Sequence, residues 1–159
     1  MVATRRVTGL AEKSPPRALR HVASITFFLL LAQFLIGMWV NLFVHIPDVH
    51  PGSTGPDYFL RLLQGVPWAV IHGQLPLQVH AALGLLLVVG ALAMVVLAVV
   101  SHRRAWVIAS ILGAMGVIGA GFNGGSFLNY GHDFSSMLMA LGFAVAIGSY
   151  AVGLYITCR

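Results

Sequence analysis

At 159 residues, of which 58% are hydrophobic and 8% charged, the chain cannot keep a soluble surface wet and free of large apolar patches. Its formal charge of +5 comes from 9 Lys and Arg against 4 Asp and Glu, with the basic residues gathered beside apolar stretches. That pattern argues for orientation in a lipid bilayer and against nucleic acid as a partner.

The first twenty residues form a basic segment with Arg5, Arg6, Lys13, Arg17 and Arg20, interrupted by Pro15 and Pro16. The apolar run that follows is too long for a cleaved leader and lacks a small-residue cleavage site, so it reads as a retained first helix. Four apolar stretches follow in all, roughly His21 to Val44, Pro76 to Val100, Ala105 to Leu128 and Phe134 to Thr157. Each meets the length of about 20 apolar residues that a bilayer core requires. None shows the strict alternation of barrel strands, which leaves helices as the way to satisfy backbone amides in hydrocarbon. The expected fold is all-α: an integral membrane four-helix bundle occupying 21–159 as a single domain, behind a basic tail 1–20. Arg103 and Arg104 lie between the second and third spans, Arg159 ends the sequence, and Arg61 alone lies on the other side. By the positive-inside rule both termini are cytoplasmic in a multi-pass protein of the cell membrane.

Between the first two spans, residues from His45 to Leu75 form a connection too long for a passive turn. Pro47, Pro51, Pro56, Gly52 and Gly55 make its first half an irregular loop. From Asp57 to His72 the apolar spacing predicts one or two short helical turns in the membrane interface, where Tyr58 and Trp68 keep one edge wet. Pro76 suits the first turn of the second span, because its missing N–H would have been unpaired there.

That placement puts His80 about one turn inside the outer boundary, where an ionisable side chain is a functional candidate. It is read either as a ligand or as a neutral imidazole bonded to a backbone carbonyl. Gly84, Leu87 and Ala91 continue its face, against which a flat cofactor or another helix can lie. His132, in the turn between the third and fourth spans, is expected to reach the same layer, and Asp133 to cap the fourth helix. His45, His50 and His72 lie in the outer connection; with Asp48, Asp57 and Asp133 they offer donors suited to copper or zinc, and His50 is expected to exchange freely with water. In the third span Gly116, Ala120 and Gly124 repeat every four residues, a pattern for close helix packing, and Asn123 is the polar exception. Cys158 is the only cysteine and supports no disulfide or thiolate cluster.

Taken together, the long connection, His80 near the outer end of the second span, the Gly-rich third span and the segment Met137-Leu138-Met139-Ala140-Leu141-Gly142-Phe143 resemble one four-helix half of the haem A synthase family. The resemblance implies a haem held between histidines of the second and fourth helices. Here Gly142 stands where the fourth-helix histidine would be, no glutamate precedes His80, and the family's outer-loop cysteine pair is missing. Haem A synthesis is therefore not expected, and a histidine placed at 142 is expected either to restore the second ligand or to overpack a glycine-lined interface.

Two readings of different class follow. One is a b-type haem protein with a redox or haem-handling role, His80 being the proximal ligand and Met139 or His132 the distal one, with Gly84 and Asn123 lining the site. The other is a non-catalytic accessory subunit of a larger membrane complex or a homo-oligomer, in which the histidines and glycines serve packing. Divalent-metal binding at the outer histidines is a third reading. No arrangement of serine, cysteine or paired carboxylates indicates hydrolysis, and no mid-span charge indicates an ion path, so the chain is not expected to be an enzyme by itself.

Overall fold

The structure, a computed structural model, describes residues 17–55 and 57–156. Arg5, Arg6, Lys13, Pro15, Pro16, Pro56, Thr157, Cys158 and Arg159 lie outside the described residues. Among the described residues there are five helices and no strand: α1 (Arg17–Phe43), α2 (Tyr58–His72), α3 (Leu75–Val100), α4 (Arg104–Tyr130) and α5 (Asp133–Ile156). All but α2 are long and apolar enough to cross a membrane, which makes this a multi-pass membrane protein.

The helix ends follow from local chemistry. The α2 start is capped by Asp57, whose Oδ1 accepts from the Leu60 N–H at 2.8 Å. Pro76, second residue of α3, occupies a position where no intrahelical N–H is needed. Gly131 closes α4 in the left-handed region at φ 66°, donating its N–H to the Phe127 carbonyl at 2.8 Å. Asp133 is the first residue of α5 and puts its charge in the first turn, where the helix dipole favours it. After the Asp57 cap, Tyr58–His72 is one continuous helix rather than separate turns. Pro67 sits inside it, and packing of Gly65 and Ala69 against the rest of the chain holds the segment together. The connection before it is laced onto α2, since Arg61 donates from Nε and from a terminal nitrogen to the Gly55 carbonyl at 3.0 and 2.8 Å.

Consecutive long helices run antiparallel, and each packs against two others: α1 on α3 and α5, α3 on α4, and α4 on α5. The pairing of α4 with α5 is the closest. Gly153 lies against Trp106, Gly113 against Tyr150, Gly116 against Gly142 and Ala146, and Gly124 against Met139. A Cβ at Gly116 would come within 2.5 Å of the Gly142 carbonyl oxygen, and one at Gly142 within 2.7 Å of the Gly116 carbonyl oxygen. The two backbones touch where neither residue has a side chain. Below this contact Trp106, Ser110, Ala114, Ala146 and Tyr150 are buried.

Of the two outcomes expected for a histidine at 142, the geometry favours overpacking. Position 142 faces the α4 backbone, so an imidazole there has no space until the helices separate. Gly142→His should lower stability by about 1 to 3 kcal/mol or more, read as earlier unfolding in detergent, and should leave any cofactor content no higher than in the parent protein.

Candidate functional site

Two apolar clusters meet near the α2 end without filling the space between them. One includes Leu87, Val117, Ala120 and Phe143 from the long helices, and the other Val40, Ala69, Leu77 and Leu128. Residues of both line a cavity of about 600 Å³, within the range of small-molecule and cofactor sites. Its walls are overwhelmingly apolar; the polar lining side chains are Gln33, Asn41 and His80. Exposed lining residues on three helices, Leu63 of α2, Leu85 of α3, and Gly121 and Phe122 of α4, mark a mouth on the apolar outer surface.

His80 is the titratable residue in this lining. Its ring rests on α1 at Gly37, where a Cβ would come 2.7 Å from His80 Cε1. Nδ1 is enclosed and has no hydrogen-bond partner, and the backbone carbonyl of Gln33 lies beside the ring. One turn before Gly37, Gln33 is 2% exposed and donates from Nε2 to the His80 carbonyl oxygen at 2.9 Å. Gly84 makes this possible, since a Cβ there would stand 3.2 Å from the Gln33 Nε2. Met139 of α5 lines the same cavity with its sulfur close to Gly124. The cavity thus brings together His80, Gly84 and Met139.

It does not bring in the others. His132 is exposed in the α4–α5 turn, its ring parallel to that of Tyr130 at 6.0 Å, and it does not line the cavity. Asn123 donates to the Gly119 carbonyl of its own helix at 2.8 Å and also lies outside the lining. His72 is exposed at the end of α2. His45 and His50 line a separate space of about 330 Å³ beside the end of α4. Among the described residues no group of three or more His, Cys, Asp or Glu side chains comes together to hold a metal ion, so the outer histidines do not form the layer of donors that their positions in the chain suggest.

His50 departs furthest from expectation. It is 8% exposed, its ring stacks on Trp68 at 4.6 Å, and each nitrogen faces a carbonyl oxygen, Nδ1 that of Pro51 at 2.9 Å and Nε2 that of Leu128 at 3.1 Å. It pins the connection to α2 and to the end of α4, whose last carbonyls lack intrahelical donors. Tyr58 adds a second tie, its hydroxyl donating to the Phe122 carbonyl. Burial pushes the Tyr58 phenol above its ordinary pKa, and Tyr130 adds to the rise. Asn129, 8% exposed with neither amide atom paired, lies over Gly65, where a Cβ would come 2.6 Å from its Oδ1.

The residues missed in the sequence are Gln33 and Gly37. A carboxamide inside an apolar run was a signal, since such a group needs a partner in hydrocarbon, but its partner is 47 residues away. Comparison of the chain with protein-family models, with curated proteins and with solved structures finds no match.

The site's layout makes histidine accessibility a direct check. With a histidine-modifying reagent and peptide mass spectrometry, His132 and His72 should be modified readily in the folded protein and His50 slowly. Loss of that contrast on unfolding, with all three then reacting alike, is the control.

Proposed function

We propose that this protein is a four-helix membrane bundle that binds b-type haem in the cavity between α2 and the long helices, in a redox or haem-handling role. The observation that carries the reading is the convergence of His80 and Met139 on one apolar cavity of about 600 Å³. An imidazole nitrogen and a thioether are a recognised haem donor pair. The walls suit a flat apolar macrocycle, because they are lined almost wholly by apolar side chains and Gly121 leaves open space where a Cβ would stand. Haem, when bound, supplies a one-electron couple; the chain's part is to present the Nε2 of His80, to hold the Met139 sulfur beside Gly124, and to keep water out with Leu87, Val117 and Phe143. The sequence resemblance to one half of the haem A synthase family implies the same ligand class, and here Met139 rather than residue 142 lines the cavity.

The orientation proposed for the bundle places both termini in the cytoplasm and α2 at the outer face. Among the described residues Arg17, Arg20, Arg103 and Arg104 gather at the end opposite α2, and Arg61 at the α2 end bonds to Gly55 and lies over the Tyr130 ring. The exposed Phe59, Leu63 and Ile71 of α2 suit a helix lying in the interface. In a Cys158→Ser background, Ser53→Cys should react with an impermeant thiol reagent applied outside the cell, and Ser101→Cys should react only after permeabilisation.

The haem reading is tested by colour. Protein purified after expression with ample haem should show a Soret band at near-stoichiometric content. His80→Ala should lose it while remaining inserted, since one imidazole is not what carries four apolar helices into lipid. Met139→Leu should retain haem but change its low-spin bands. A wild-type protein without pigment, or an inserted His80→Ala variant with unchanged pigment, overturns the assignment.

A further inference from the structure

The crossing of α1 and α3 contains two buried polar atoms that lack partners and complement each other chemically. Gln33 Oε1 is an acceptor without a donor, and His80 Nδ1 is enclosed without any hydrogen-bond partner. The amide of Gln33 cannot be turned around, because its nitrogen is fixed by the His80 carbonyl oxygen at 2.9 Å, and the oxygen placed there would face another acceptor. Oε1 is therefore the end of the amide left for another group. The ring of His80 lies on the α1 side of its helix, with Cε1 and Nδ1 the atoms nearest to Gly37 at 2.7 and 3.3 Å from a Cβ built there. Gln33 is one turn from Gly37 along α1. Glycine at 37 admits the ring and glycine at 84 admits the amide, so the helices approach at two polar side chains rather than at a void.

We infer that Gln33 is the positioning residue for His80: its Oε1 takes the Nδ1–H, fixing the tautomer whose Nε2 lone pair points to the cavity. The two side chains are already joined through the His80 carbonyl, and pairing the two atoms, in competition with the Gln33 backbone carbonyl beside the ring, relieves two unsatisfied polar groups in an environment without water. A histidine that donates through one nitrogen is oriented and made a better donor at the other, the arrangement by which metal-ligating imidazoles are ordinarily held. The same lock would hold for any electrophile or hydrogen-bond donor in the cavity. The inference builds on the cavity reading but can be measured on protein without haem.

The experiment is nitrogen NMR of protein labelled with ¹⁵N-histidine, purified without haem and reconstituted in lipid, with the His80 signals assigned by their disappearance in His80→Asn. The expected pattern is a single neutral tautomer protonated at Nδ1. Gln33→Leu, which removes the acceptor but keeps bulk, should abolish that pattern and give a mixture or the Nε2–H form. Gln33→Glu, which keeps an acceptor oxygen, should restore protonation at Nδ1. A wild-type His80 protonated at Nε2 alone overturns the inference even if no Gln33 variant can be purified, and so does a folded Gln33→Leu protein with the Nδ1–H pattern intact. Absence of pigment with the Nδ1–H tautomer present would remove haem as the ligand and leave the lock standing.

Discussion

Close approach of helix backbones is the constraint on which this structure rests. In lipid, apolar side chains gain nothing by leaving one hydrocarbon for another, so helices associate through packing density and through polar groups that find each other. The chain meets that condition at two crossings by different means. At α4 and α5, Gly116 and Gly142 put carbonyl oxygens where side chains would otherwise stand. At α1 and α3, Gly37 and Gly84 instead make room for His80 and Gln33.

The cavity follows from the way these crossings combine with α2. Small residues seat α5 deeply on α4 in the half away from α2, where Tyr150, Ala146 and Met94 are fully buried. Towards α2 the walls are made of Gly121, Gly124 and Gly125, and the short helix covers the space with Leu62, Leu63 and Val66 without filling it. The cover is held from its rim: His50 clamps between Trp68 and the Leu128 carbonyl, and Arg61 ties back to Gly55. Polar interactions thus secure the ends of α2 while its cavity-facing side stays apolar. A site with this division can hold an apolar ligand without sacrificing backbone satisfaction in the membrane.

The division of labour among the histidines has the same origin. An imidazole becomes available to a ligand only where the fold leaves a nitrogen facing open space. His80 is the histidine that lines the cavity. His50 leaves neither nitrogen open, since carbonyl oxygens occupy both. His132 has freedom but stands outside the cavity. Proximity along the chain to a polar turn was a poor guide to which of them could act together.

The sequence by itself determined the spans, their number and the place of His80 in the second turn of α3. Hydrocarbon thickness is read by length and apolarity, which are properties of a contiguous segment, and Pro76 fixes the start of α3 locally. The spans lie within a few residues of α1, α3, α4 and α5. Glycine spacing in α4 likewise announced a close helix contact. Only the tertiary structure decided which helix filled that contact, and hence that Gly142 faces backbone while Met139 faces the cavity. It alone paired Gln33 with His80 across 47 residues and buried His50 against α4. The physical reason is that helical periodicity fixes which residues share a face but leaves open what that face meets. With hydrocarbon on every side, a small residue or a lone amide reads alike until its partner helix is in place.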